Sequence, residues 1–584
     1  MSGEMVWKIT PSSAVRADDL FLFFINDRSV LTRTVEDLRK NPVVRVPFPP
    51  GLSWERFLHA RVEARLSITD DVCRDMISGR LFWVVQPDSA VLFGDARIPL
   101  RSVSDFFETL FSELRIVLPV RPTLDEGRAG VWLSALLRKA VPGLSVSLES
   151  GFDEKTDSAP FILIAGSPES VPQGVEARGG ISLVGERGLL LLSGVDGANP
   201  LADIVKMIAS YPLFAAIPSG RFVPDGAAPS QGAEANFLPL VEGKGRSTVL
   251  LEIPVYPGLL PSLPQDLTFD LEGAYSLPRD SSRPARLDAY WNGIFMESKT
   301  LPAKGRFTER LLLPAEIPIM TENRLRLAVS YYVDEGMCRY KSVENRATLF
   351  PFSSVHGHGS FPLQRLSWNS FGVFALRKGL LLLDESLSVD ILRAAADMLS
   401  WLASSYPEGI FLFPEVRATN DDPARIKSAD WLLAVASPDS IPRELHELLP
   451  LNIHTGFLLE DRNGSKAAYS FQREEDVALL LLGNSPKPAI LLSSAAPGMM
   501  SRASSFITAP KNTARLTGNV IAFRAPDDVR SYDTRNPAVS VKHGALLSLA
   551  ERFWFRYRTL VIVGAWVLAT VFFAGLFLKK RRSE

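Results

Sequence analysis

The chain has two cysteines in 584 residues, Cys73 in DDVCRDM and Cys338 in DEGMCRY, each followed by arginine and preceded by acidic residues. Two thiols can make a disulfide, but each lies in the same setting in a separate part of the chain, so both read as buried, unpaired thiols. His356 and His358 in VHGHGS stand two apart and offer half a metal site, with no further ligand cluster beside them; they read as an exposed glycine-rich loop. SPES (167–170) and SPDS (437–440) each follow a short apolar run, where a flavin or nucleotide phosphate would meet the N–H groups opening a helix. Glu169 and Asp439 would bring negative charge to that phosphate, whereas a helix N-terminus welcomes it, so both segments read as caps. The sequence holds no G-x-x-x-x-G-K-[ST], no G-x-G-x-x-G after a strand, no H-E-x-x-H and no G-x-S-x-G. No catalytic residue, cofactor or metal is expected. Trp83 and Trp291 are the candidate glycan contacts, because sugar rings stack on aromatic faces.

Two kinds of element must position these residues. RLRLAVSYYV alternates at period two, and LDAYWNGIFM is a strand, an Asn-Gly turn and a second strand; both predict a β-sandwich or jelly-roll. FILIAG, LLLLSG, WLLAVA and AILLSS are continuous apolar runs, as in parallel strands buried on both faces, and AGVWLSALLRKAV and VDILRAAADMLSWLA are amphipathic helices. This second rhythm predicts a flavodoxin-like α/β layout. The 64 basic and 65 acidic residues balance, so no global field recruits nucleic acid, and 46% hydrophobic residues allow large cores. The 42 prolines and 39 glycines suit many short strands joined by turns.

The two rhythms occur twice. Cys73 and Cys338 are 265 residues apart, Asn26 and Asn292 266, Pro47 and Pro314 267, Ser89 and Ser354 265, Ser167 and Ser437 270, and LLLSG at 190 and ILLSS at 490 are 300 apart. Matches in one order with a slowly growing offset indicate duplication, with about 30 extra residues in LNIHTGFLLEDRNGSKAAYSFQREEDV. The expected domains are a first β-sandwich (1–105), a first α/β domain (106–238), a second sandwich (239–362), a second α/β domain (363–525), a linker with an interfacial amphipathic helix (526–558), a transmembrane helix (559–578) and a basic tail (579–584). STVLLEIPVYPGLLPSLPQD opens the second sandwich with extra strands whose counterpart would precede Met1.

TLVIVGAWVLATVFFAGLFL, from Thr559 to Leu578, carries no charge and would span roughly 30 Å as a helix, the thickness of a hydrocarbon core. Trp554 and Tyr557 precede it at interface depth, ALLSLAERFWFRYR reads as an interfacial helix, and Lys579, Lys580, Arg581 and Arg582 close it. The tighter C-terminal cluster favours a cytoplasmic C-terminus with the bulk exported. The opening MSGEMVWKITPSSAVRADD has no signal-peptide core, so export implies a start upstream of Met1.

This order resembles the periplasmic regulatory subunit family of bacterial cellulose synthase, often labelled cyclic-di-GMP-binding. The residues that carry the resemblance are the hairpin LDAYWNGIF, the NRLRL strand at 323–327, the Cys-Arg turn, the FPFSSV strand, and the apolar helix ending KKRR. It implies a non-catalytic accessory protein anchored in the inner membrane, with its bulk in the periplasm. The implied partners are the catalytic subunit, the nascent β-1,4-glucan guided by carbohydrate-binding-module-like sandwiches, and the lipid bilayer; self-association is left open. RVEAR at Arg61 and RDSSR at Arg279 match R-x-x-x-R, but no [DN]-x-S-x-x-G follows, which argues against direct cyclic-di-GMP binding. An accessory subunit for another exopolysaccharide and a membrane-anchored glycan-active enzyme are the competing readings.

Overall fold

The computed structural model describes residues 3–26, 28–48, 59–70, 75, 80–93, 103–108, 113–141, 143–151, 161–167, 171, 180–184, 189–193, 201–210, 237–245, 247–260, 263–278, 283–314, 316–320, 323–332, 345–404, 411–421, 423–451, 453, 457–460, 466–469, 477–484, 486–513, 516–543, 557 and 561–570. Cys73, Cys338, Glu169, Arg279, Trp554 and the basic tail lie outside them.

The chain is mostly β-sheet with some helices. The first sandwich comprises β1 (Gly3–Pro11), β2 (Leu20–Ile25), β3 (Arg28–Thr34), β4 (Val43–Pro47), β5 (Ala60–Arg65), β6 (Trp83–Val85) and β7 (Ala90–Phe93). β1 pairs with β4, β6 and β7 in one sheet, and β3-β2-β5 form the other. In β2 the alternation is strict: Phe21, Phe23 and Ile25 face the core, and Leu20, Leu22 and Phe24 face out. After it come β8 (Glu113–Leu118), β9 (Ser145–Ser150), β10 (Phe161–Ala165), β11 (Gly180–Val184) and β12 (Leu189–Ser193), in the order β11-β12-β10-β8-β9.

The second sandwich comprises β13 (Val241–Gly245), β14 (Thr248–Val255), β15 (Asp266–Tyr275), β16 (Arg286–Trp291), β17 (Ile294–Thr300), β18 (Arg306–Leu312), β19 (Asn323–Ser330), β20 (Asn345–Leu349) and β21 (Ser354–His358). Its sheets are β13-β20-β15-β18, with β21 also on β15, and β14-β19-β16-β17. The last part holds β22 (Gly379–Leu383), β23 (Glu415–Ala418), β24 (Trp431–Val435), β25 (Phe457–Glu460), β26 (Lys466–Tyr469), β27 (Ala478–Gly483), β28 (Ala489–Ser493), β29 (Val520–Ala525), β30 (Asp528–Tyr532) and β31 (Ser540–His543). Seven of these strands form the sheet β23-β22-β24-β28-β27-β29-β30, and β26-β25-β31 form another.

The two sandwiches share one register. Ile9 faces Val85 as Gly273 faces Leu349, and Gly3 faces Phe93 as Leu267 faces Gly357. A bulge falls between Phe23 and Phe24 and again between Ala289 and Tyr290. Asn26 and Asn292 both adopt positive φ, at 46° and 51°. The Asn26 Oδ1 accepts the His59 N–H at 2.9 Å, and the Asn292 Oδ1 accepts the Arg324 N–H at 2.8 Å. Two of the sequence matches shift slightly. Ser89 Oγ accepts the Lys8 N–H as Ser353 Oγ accepts the Glu272 N–H, so Ser89 corresponds to Ser353, not Ser354. Pro47 faces Glu4 where Leu312 faces Thr268, so its counterpart is Leu312 rather than Pro314. β13 and β14 cover β20 and β19. Among the described residues β6 and β5 carry no such cover, and Val85 is 39% exposed where Leu349 is fully buried.

Both α/β sheets run second-first-third-fifth-fourth in strand order, with the fourth antiparallel to the fifth. The first three strands run in the order a flavodoxin-like layout expects, but the last two exchange places: β11 ends its sheet beside β12, and β27 lies between β28 and β29. The growing offset is accounted for by β25 and β26, which lie outside the main sheet: β25 pairs with β26 on one side and with β31 on the other. The expected linker is not unstructured: β30 continues the seven-stranded sheet and β31 pairs with β25, while the interfacial helix expected in ALLSLAERFWFRYR lies outside the described residues apart from Tyr557. In FPFSSV the first four residues form the turn from β20 into β21, and Ser354 and Val355 open β21.

Helix Leu124–Ala140 of the first α/β unit packs on helix Val389–Ala403 of the second. Arg138 is ion-paired with the buried Asp397, and Lys139 Nζ donates to the Ala403 carbonyl at 2.9 Å. Both α/β units and the second sandwich share one contiguous apolar core, while the first sandwich has its own around Phe21, Phe23 and Leu38. Within the expected membrane segment, residues 561–570 are helical, and Ile562, Val563, Trp566, Val567 and Leu568 are exposed. Among the described residues no helix is long and apolar enough to cross a membrane.

Candidate functional site

The aromatic candidates separate by face. Trp291 is fully buried, its ring 5.6 Å from Phe269 between centroids, so it is a core residue and presents no surface to a sugar. Trp83 is half-buried, edge-on to Phe21 at 5.5 Å, and belongs to the packing of the first sandwich. The residue beside Trp291 matters more. Strand alternation turns Leu287, Ala289 and Trp291 inward and Arg286, Asp288 and Tyr290 outward. Tyr290 faces Phe295 across the hairpin, with rings 5.6 Å apart and edge-to-face, and Phe295 is 54% exposed. The alternating sequence LDAYWNGIF carried this signal, since the apolar set Leu-Ala-Trp marks the inner face and leaves Tyr290 on the other.

Polar groups border this ring pair on the same outer face. Arg326 lies opposite Tyr290 on β19 and opposite Glu252 on β14; its Nε donates to Glu252 Oε1 at 2.9 Å. On the other side, Ser298 donates to Asp288 and accepts from Arg286 Nη2 at 2.8 Å. The equivalent face of the first sandwich is arranged differently. Phe24 stands at the Tyr290 position, Ser29 at the Phe295 position and Arg61 at the Arg326 position. There the Arg61 guanidinium lies 4.4 Å from the centre of the Phe24 ring. RVEAR is thus strand β5, with Arg61 laid over an aromatic ring.

The histidine pair lies on strand β21, not in a loop. His356 Nε2 is 2.8 Å from Ser354 Oγ and 3.4 Å from Asp270, while His358 Nε2 is 3.0 Å from Thr268 Oγ1. The hydrogen-bonded Arg310 guanidinium holds the Asp270 carboxyl below the usual range. Among the described residues no group of three or more His, Cys, Asp or Glu is placed to hold a metal.

The C-terminal ends of parallel strands are where an α/β sheet offers its N–H groups to a phosphate. In the second unit Asp384, buried just after β22, accepts the Ser437 N–H at 2.8 Å, the Ser437 hydroxyl at 2.5 Å and the Ser386 N–H at 3.0 Å. Burial pushes this carboxyl up, yet these bonds outweigh it and hold it at about 2. In the first unit the buried Glu126 accepts the Gly166 N–H at 2.6 Å and the Thr123 N–H at 2.7 Å. Each switch point thus already holds a carboxylate of the chain. Ser437 does open the short helical turn Pro438–Ser440, but its side chain binds Asp384 rather than capping that turn, and Asp439 is exposed.

No family model matches this chain, and no curated protein matches it. Solved structures that resemble it include a family two carbohydrate esterase from Clostridium thermocellum in complex with cellohexaose, at 7% identity over 35% of this chain and 67% of that one, with a TM-score of 0.12. The acetyl xylan esterase Est2A of Butyrivibrio proteoclasticus is 10% identical over 41% of this chain and 72% of that one, with a TM-score of 0.12. A catalytic domain with the CBM51-1 and CBM51-2 domains of Clostridium perfringens ZmpB is 9% identical over 61% of this chain and 32% of that one, with a TM-score of 0.13. Superpositions this partial carry no argument about activity.

Proposed function

We propose that the chain is a non-catalytic, membrane-anchored subunit of a bacterial cellulose synthase, standing beside the catalytic subunit and guiding the emerging β-1,4-glucan through the periplasm. The observation that carries this reading is the tandem order: a sandwich and an α/β unit, then a second pair in the same register, then an apolar helix exposed along residues 561–570. The first three strands of each α/β unit keep a flavodoxin-like order, yet their switch points hold Glu126 and Asp384 in place of a phosphate site, which suits a scaffold. In this reading Thr559–Leu578 anchors the chain in the inner membrane, and Lys579 to Arg582 stay on the cytoplasmic side.

The test is co-expression with the catalytic synthase subunit, with an export signal added, followed by purification in mild detergent and an assay of UDP-glucose incorporation into insoluble glucan. Co-purification and activity that both disappear when the chain ends at Arg558 support the reading. A chain that neither co-purifies nor supports synthesis sinks it.

A further inference from the structure

We infer that the outer face of the sheet β14-β19-β16-β17 binds a neutral pyranose chain, with Tyr290 and Phe295 as its stacking platform, and that the equivalent face of the first sandwich is closed. This deepens the glucan-handling reading above and rests on it. The ligand class follows from the chemistry of the face. A pyranose ring has a face of weakly positive C–H groups, which meets the negative face of an aromatic ring, and a rim of hydroxyls, which needs donors and acceptors beside that ring. Here the two rings are flanked by the Asp288–Ser298–Arg286 network on one side and the Arg326–Glu252 pair on the other. A protein partner would require a broad apolar patch, and rows of charge interrupt this one. A charged ligand would find carboxylates and guanidinium groups already paired to one another.

The first sandwich supplies an internal comparison. Its β2, β3 and β5 correspond to β16, β17 and β19, with the same bulge and an arginine at the same register position, but Arg61, paired with Glu63 on its own strand, stacks on Phe24, and Ser29 replaces the second ring. In the second sandwich, β14 brings Glu252 across from Arg326 and draws the guanidinium away from Tyr290. Glu252 is therefore a positioning residue: it keeps the platform open by holding Arg326 aside.

The experiment titrates the full chain in detergent with cellohexaose, following intrinsic fluorescence, and measures its retention on swollen cellulose. The variants are Tyr290→Ala, Phe295→Ala, Phe24→Ala and Glu252→Gln, each checked for an unchanged circular dichroism spectrum and melting profile. Loss of either platform ring is expected to weaken binding about tenfold, and Phe24→Ala to leave it unchanged. Glu252→Gln is expected to weaken it several-fold with both rings present, with Glu252→Asp restoring part of the loss. Wild-type protein that binds no glucan overturns the inference, as does binding indifferent to Tyr290 and Phe295 or equally sensitive to Phe24. The synthase co-purification is read separately. A chain that joins the catalytic subunit and yet binds no oligosaccharide removes this site and leaves the accessory-protein reading standing. If Tyr290→Ala abolishes co-purification while retention on cellulose is unchanged, the face contacts protein and the inference falls.

Discussion

Asp384 shows how one buried charge can hold a loop closed. Its folded-state carboxyl sits at about 2, below the ordinary aspartate value near 3.9, because three hydrogen bonds favour the charged form more than burial opposes it. The folded state therefore binds fewer protons than the unfolded one in this range. The contribution is full above about pH 4 and is lost as the pH falls towards 2. Asp384→Asn is expected to lower stability by about 2 kcal/mol at pH 7 and to remove this part of the acid dependence. Urea titrations at pH 7 and pH 3 check it: the gap between wild type and variant should narrow at the lower pH, and a constant gap would refute the linkage. Asn292 illustrates legibility at the same scale. Asn-Gly between alternating strands announces the turn, and the structure realises it with positive φ at both Asn292 and Gly293. The bond from Asn292 to the Arg324 N–H could not be read from sequence, since it reaches a strand 32 residues away.

At the scale of elements, the contact between helices Leu124–Ala140 and Val389–Ala403 joins the two α/β units. Asp397 accepts from Arg138 of the neighbouring helix and from the hydroxyls of Ser504 and Ser505 at 2.8 and 2.6 Å. Arg138→Ala leaves that buried carboxylate with only its serine partners, at an expected cost of about 3 kcal/mol. Arg138→Met combined with Asp397→Leu should recover most of this loss, because the charge to be satisfied is gone. Denaturant midpoints of the single and double variants decide it; a double variant no better than Arg138→Ala rejects the account. Both helices were legible from their apolar spacing, but nothing in either pattern says that one would pack on the other. The same division explains why residues 526–558 read as a linker. β30 and β31 are short and flanked by turn residues, so they gain strand character from β29 and β25 rather than from their own alternation.

For the whole molecule, the distribution of core predicts how it opens. The first sandwich has its own small core, while the second sandwich and both α/β units share a continuous one. Under increasing urea, amides of β1–β7 are expected to lose protection before those of β14–β19 and β22–β28, as followed by hydrogen exchange with mass spectrometry. Simultaneous loss in both regions would show that the first sandwich draws its stability from the rest.

Sequence by itself determined the alternating strands, the buried apolar strands, the two long helices and the repetition. Alternation at period two and continuous apolar runs are local consequences of which faces are buried, and the repeated spacing of Asn26 with Asn292 and Ser167 with Ser437 survives in the chain. Which aromatic ring reaches solvent was decided by tertiary structure. Trp291 and Tyr290 are neighbours in sequence but lie on opposite faces of one strand, so a choice by residue type fell on the buried one. Tertiary structure also decided that Arg61 covers Phe24 while Arg326 leaves Tyr290 clear. The two arginines hold the same place in the repeat, but Arg61 pairs with Glu63 two residues along its own strand, whereas Arg326 pairs with Glu252 on a strand that is distant in sequence and adjacent in the sheet.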